Sequence, residues 1–93
     1  MIKFLKCKET KKIYHREYSL KLPQNIQRSA MKKLWMLDAT PDLNSLSVPP
    51  SNHLEVLLGK RLVQHSIRIN RQYCICFRWQ ADNAYDVEIV DYF

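Results

Sequence analysis

Apolar and polar positions alternate most regularly over residues 62–79, LVQHSIRINRQYCICFRW. His65, Ile67 and Ile69 alternate with Ser66, Arg68 and Asn70. Tyr73, Ile75, Phe77 and Trp79 alternate with Cys74, Cys76 and Arg78. A period of two over β-branched and aromatic residues predicts two half-buried strands. Parity then sets the turn, because a one-residue slip would send a whole apolar set to solvent. A three-residue loop, Asn70-Arg71-Gln72, pairs Ile69 with Tyr73 and Ile67 with Ile75. The hairpin so formed turns one apolar face to the core. Its other face carries Ser66, Arg68, Cys74, Cys76 and Arg78, and is the place to look for function.

The rest of the chain supplies the elements that pack on this hairpin. Residues 1–6 alternate Ile2 and Phe4 with Lys3, which predicts a short strand whose lysines suit a sheet edge. Thr10, Ile13, Tyr14, Glu17 and Tyr18 recur at helical spacing and predict a short helix over Lys8 to Tyr18. A longer helix is predicted over 23–38. Pro23 suits its first position, and Ile26, Ala30, Leu34 and Leu37 form one stripe, widened by Met31. Arg28, Lys32 and Lys33 lie off that stripe. Thr40-Pro41 ends the helix, since the residue before proline avoids the helical state. Asp42 to Leu46 can add one helical turn.

Val48-Pro49-Pro50-Ser51-Asn52 is a stiff connector, followed by a strand over His53 to Leu58. In that strand Leu54, Val56 and Leu58 alternate with His53, Glu55 and Leu57. Gly59, the only glycine, marks a sharp break, because glycine tolerates positive φ. Gln80 to Asp86 reads as a polar loop and Val87 to Phe93 as the last strand. Helices followed by consecutive strands imply an α+β domain over residues 1–93. An N-terminal strand and two helices are expected on one face of an antiparallel sheet of about four strands.

Composition narrows the function. With 46% hydrophobic and 26% charged residues the chain is that of a globular protein. No apolar run approaches the ~18 residues that would span a bilayer, and MIKFLKCKET has no secretory h-region. Three cysteines without a disulfide framework suit a reducing cytoplasm. The net charge of +6 is uneven. Residues 1–37 hold ten Lys/Arg against Glu9 and Glu17, and 60–79 hold five with no acid. Residues 38–59 and 80–93 are acidic. A basic helical half and a basic hairpin suit a polyanion or an acidic protein, although many small basic domains are merely soluble. His15, His53 and His65 lack metal-ligand spacing, and Cys74 and Cys76 are neither a zinc knuckle nor a redox C-x-x-C. No metal or cofactor is expected. His65, on the face of Ile67, and Trp35, on the long helix, read as packing residues.

The placed residues resemble the HigB toxins of the RelE/ParE superfamily, in particular the plasmid-maintenance killer proteins. The likeness starts at Lys33-Leu34-Trp35-Met36-Leu37-Asp38-Ala39 and continues through Val48-Pro49-Pro50-Ser51-Asn52-His53-Leu54-Glu55. It runs on through Gly59-x-Arg61, Gln64 to Asn70, Ile75-Cys76-Phe77-Arg78-Trp79 and Val87 to Tyr92. The resemblance implies a toxin that enters the ribosomal A site and cleaves translated mRNA without a metal. It implies neutralisation by a HigA-like helix-turn-helix antitoxin, operator DNA contacted only through that complex, and no membrane partner. Glu55, Arg68, Asp91 and Tyr92 are the catalytic candidates, and Lys60, Arg61 and Arg78 the RNA-binding ones. Two departures from the family fall on positions that the chemistry needs. Cys74 stands where an arginine is usual, and Phe93 where the chain usually ends in histidine. Cleavage through the ribose 2′-hydroxyl needs a base, cations facing the phosphorane, and an acid for the leaving oxygen. Thiol and phenyl supply neither fixed charge nor a useful proton. A weakened toxin that pairs with its antitoxin and tunes operator binding is therefore the alternative, with a ParE-like gyrase poison as a third reading.

Overall fold

The structure is a computed structural model that describes residues 1–58 and 63–91. Helix α1 spans Lys8–Tyr14 and α2 spans Gln24–Ala39. Two 3₁₀ turns, Leu43–Ser47 and Pro50–Asn52, lead into four strands: β1 Glu55–Leu58, β2 Val63–Arg68, β3 Tyr73–Gln80 and β4 Asn83–Asp91. The strands form one antiparallel sheet in the order β1-β2-β3-β4. The fold is α+β, as expected.

The core lies between the helices and one sheet face. Ile26, Ala30, Leu34 and Leu37 are all buried, and with Ile13 they join Ile67, Ile75, Phe77, Val87 and Ile89 in a single cluster. The hairpin register is the one parity demands: Ile67 pairs with Ile75 and Arg68 with Cys74. The Ile69 amide donates to the Tyr73 carbonyl at 2.9 Å, closing the loop over Asn70-Arg71-Gln72. His65 packs beside Phe77, with ring centroids 5.9 Å apart. Burial pushes its pKa down. Trp35 packs as expected, its indole N–H donating to the Tyr14 carbonyl at 3.1 Å beneath the Arg16 guanidinium.

Several expectations are corrected. The N-terminal residues do not form a strand. Ile2 and Leu5 make isolated parallel bridges to Ala84 and Val87. The inward residues are therefore three apart, and Phe4 stays 50% exposed, so the apparent period of two misleads. The segment still covers the outer edge of β4. Ala84 donates to the Met1 carbonyl and accepts from Lys3, and Val87 donates to Phe4 and accepts from Lys6. Further along that edge the Ile89 amide donates to the hydroxyl of fully buried Thr10 at 3.0 Å. A sheet edge that would otherwise recruit another strand is thus closed by its own chain.

Helix α1 stops at Tyr14, not Tyr18, because Arg16 adopts a left-handed φ of 65°. The connector to α2 is held by Ser19, which is fully buried. Its hydroxyl donates to Glu9 at 2.6 Å, and its amide donates to the Gln27 side chain at 3.0 Å. Lys33 lies off the α2 stripe and donates to the side-chain oxygen of buried Asn52, and burial lowers its pKa. The expected loop over Gln80 to Asp86 is only a tight turn at Ala81-Asp82, with φ of 50° and 60°. Two left-handed residues make the hairpin turn whose twist matches the strands. Strand β4 therefore begins at Asn83, and its register shifts between the partners of Cys76 and Arg78, where Asp86 has φ 52°. Strand β1 begins at Glu55, since His53 is left-handed at φ 46°. The break expected at Gly59 lies outside the described residues.

The outer hairpin face is also less open than its polarity suggests. Ser66 is 4%, Cys74 4% and Cys76 5% exposed. Across the sheet, Cys74 is flanked by Arg68 and Val90, and Cys76 by Ser66 and Glu88.

Candidate functional site

A small cleft opens on the outer face at the loop end of the hairpin. Strand β1 contributes Glu55, directly across from Ser66, and β2 contributes Arg68, directly across from Cys74. Side chains two apart on a strand share a face, so Glu55, Ser66, Arg68 and Cys74 converge. All four line the cleft, together with His53, Asn70, Arg71 and Tyr73.

Local structure aims the two additions that carry chemistry. His53 caps the 3₁₀ turn Pro50–Asn52, its amide donating to the Pro50 carbonyl at 3.0 Å. That turn is fixed from below by fully buried Asn52. Its amide nitrogen donates to the Leu46 carbonyl at 3.0 Å, and its oxygen accepts from Lys33. A buried amide with both ends satisfied is a rigid support. Arg71 stands on the hairpin loop, whose shape is set by Asn70. The Asn70 carboxamide oxygen accepts from the Gln72 amide at 2.8 Å and the Tyr73 amide at 2.7 Å. This is the asparagine turn that replaces backbone pairing in tight loops.

The cleft thus brings together a carboxylate, an imidazole and two guanidinium groups. Among the described residues, ion pairs join Lys6 to Glu88, Lys12 to Glu9 and Arg78 to Asp86, and none involves Glu55 or Arg68. The Cys74 thiol beneath them is pushed well up, first by its hydrogen bond with Cys76 and then by burial; Glu55 adds to this and Arg68 opposes it. The same contact with Cys74 draws the Cys76 thiol down. Cys74 therefore presents a neutral thiol to the cleft floor.

The other candidates are dispersed. Asp91 lies opposite Tyr73 at the end of β4 and accepts from the Gln72 side chain at 3.0 Å, bracing the loop from outside the cleft. Arg78 is near the far end of β3, bonded to Asp86 at 2.9 Å and stacked over Tyr85. Lys60, Arg61, Tyr92 and Phe93 lie outside the described residues. His53 and Arg71 were not singled out by sequence reasoning. The signal for His53 was its shared parity with Glu55, and for Arg71 its place in the loop that parity had already defined. Among the described residues no group of three or more His, Cys, Asp or Glu could hold a metal ion. No described helix is long and apolar enough to cross a membrane.

Comparison with known proteins adds a family. The HigB-like toxin family, described as the RelE-like toxin of type II toxin-antitoxin system HigB, matches residues 3–93. An uncharacterized protein of Haemophilus influenzae is 42% identical over 64 residues, covering 69% of this chain and 63% of that protein. Toxin HigB-1 of Vibrio cholerae is 38% identical over 58 residues, covering 62% of this chain and 61% of its own. In both cases the match spans less than two thirds of the relative's length.

Proposed function

Because this chain belongs to the HigB-like, RelE-like toxins of type II toxin–antitoxin systems, we propose that it is a ribosome-dependent mRNA endonuclease that inhibits translation and is neutralised by a HigA-like antitoxin. The observation that carries the proposal is the convergence of Glu55, His53, Arg68 and Arg71 on one cleft. In this reading the ribose 2′-oxygen attacks the adjacent phosphorus and the bond to the 5′ oxygen breaks. Glu55 takes the 2′ proton, and His53 returns a proton to the leaving 5′ oxygen. Arg68 and Arg71 face the phosphorane, whose negative charge preorganised cations stabilise more than they stabilise the ground state. Arg71 thereby supplies a second positive charge to a site in which Cys74 brings none. Asp91 holds the loop that carries Arg71, Tyr92 extends the site from the chain end, and Lys60, Arg61 and Arg78 contact the RNA backbone.

Induction in a bacterial host with mapping of mRNA 5′ ends tests this. Cuts inside translated messages, abolished by Arg68→Ala, support it; intact mRNA overturns it. One observation favours a second reading. Cys74 is a covered, neutral thiol directly across from Arg68, which suits a toxin with weakened cleavage that serves antitoxin binding and operon autoregulation. Tight antitoxin binding with intact mRNA would identify that case.

A further inference from the structure

Cys74 and Cys76 are both free, and they point to the same side of β3 with their sulfurs 3.7 Å apart. The family chemistry uses neither thiol. An intramolecular disulfide does not suit them. Positions i and i+2 of a strand are about 6.6–6.8 Å apart, at the upper limit of disulfide geometry. A bridging ion does suit them. A metal–thiolate bond is about 2.3 Å, so an ion joining sulfurs at this spacing is bent between them, and widening the gap by about 0.9 Å makes it linear.

The surroundings select the kind of ion. Zinc takes four ligands in its structural sites and three protein ligands in its catalytic ones. Here no third His, Cys, Asp or Glu completes such a group among the described residues. Soft thiolate pairs favour Cu(I), which is content with two sulfurs. The hydrogen bond between the thiols already holds them face to face, so little ordering is left for the ion to impose. There is an entry path, because Cys74 lines the cleft beside Arg68 and Glu55. Burial of both sulfurs then shields the ion from water and competing oxidants.

We propose that Cys74 and Cys76 form a two-thiolate site for a soft monovalent d10 cation of the Cu(I) class, on the floor of the cleft and opposite Arg68. Each thiol gives up its proton as the ion binds, so uptake releases up to two protons and changes no oxidation state.

The test uses the purified full chain, kept anaerobic, with Cu(I) alone as the probe and a Cu(I)-specific chelator as competitor. The expected result is one equivalent of Cu(I) retained. Cys74→Ser and Cys76→Ser each weaken retention by more than about 100-fold, the upper range for disturbing even an outer-shell partner. Cys7→Ser leaves it unchanged. Zn(II) is not retained at the same chelator strength. Retention that survives either Cys74→Ser or Cys76→Ser, or that depends on Cys7, overturns the proposal. So does Zn(II) held as tightly as Cu(I). Should a serine variant fail to fold, the parent chain decides alone. Cu(I) protects Cys74 and Cys76, but not Cys7, from alkylation mapped by peptide mass spectrometry; equal labelling of all three with and without Cu(I) overturns the site.

Discussion

Arg68 and Cys74 stand directly across from each other on β2 and β3, Arg68 partly buried and Cys74 only 4% exposed. One member of the pair is a cation without an ion-pair partner among the described residues; the other is a covered neutral group. This pairing organises the cleft and the expectations drawn from it.

Arg68→Ala removes a cation from the cleft without opening the core. The rate of mRNA cleavage should fall about 10²–10³-fold, while the melting temperature moves little. Single-turnover cleavage and thermal melting on the same preparation check both halves. A large loss of stability would assign Arg68 to the fold instead.

Cys74→Arg tests the departure from the family directly. On sequence grounds the change looks harmless, because the face is polar. The structure alters that expectation. Forcing a long side chain into a 4% exposed position should cost about 1–3 kcal/mol. In a domain this size that lowers the melting temperature by roughly 4 °C or more. A gain in cleavage, alone or with Phe93→His, must be read against that loss, so denaturant midpoints should accompany the activity assay.

Thr10 closes the outer edge of β4 through the Ile89 amide. Thr10→Val keeps the shape and removes the acceptor, leaving a buried N–H unpaired at a cost of about 1–3 kcal/mol. Thr10→Ser should recover most of it. Hydrogen exchange at Ile89 reports the effect locally: exchange should accelerate in the valine variant and remain slow in the serine one.

Much of this architecture is legible in the alternation of residue types. The parity of Ile67, Ile69, Tyr73 and Ile75 sets both the hairpin register and its loop length, and the stripe Ile26, Ala30, Leu34, Leu37 sets the buried face of α2. What escapes is governed by backbone states that side-chain chemistry does not announce. Ala81-Asp82 forms a turn that usually calls for asparagine and glycine, so a tight hairpin reads as a loop. Arg16 ends α1 in a conformation that glycine normally takes. The covering of Cys74 and Cys76 depends on neighbours contributed by two other strands. Glu55 and Arg68 were visible through the family resemblance, and Arg68 also through its place on the outer face of the hairpin; His53 and Arg71 were not, because a turn and a loop aim them.

Glu9 couples the connector to pH. The hydrogen bond from Ser19 is the main cause that holds its carboxyl below the ordinary 4.5, aided by Lys12, Lys21 and Lys8 and opposed by partial desolvation. The unfolded chain therefore takes up this proton first. The stabilisation is present above 4.5 and is lost as pH falls through the lower folded value. Thermal melts from pH 6 to about pH 3 should show a steeper acid decline for the parent than for Glu9→Gln; parallel curves would remove Glu9 from the acid transition.

The central claim is that the cleft cleaves RNA through the 2′-hydroxyl. The most direct measurement incubates the purified chain with ribosomes paused on a defined mRNA and analyses the ends produced. The account predicts cuts within the A-site codon that leave a 2′,3′-cyclic phosphate on one fragment and a 5′-hydroxyl on the other. They should be lost with Arg68→Ala and strongly reduced with Arg71→Ala. Ribosome-bound protein with intact mRNA, or cuts that leave a 5′-phosphate, would contradict it.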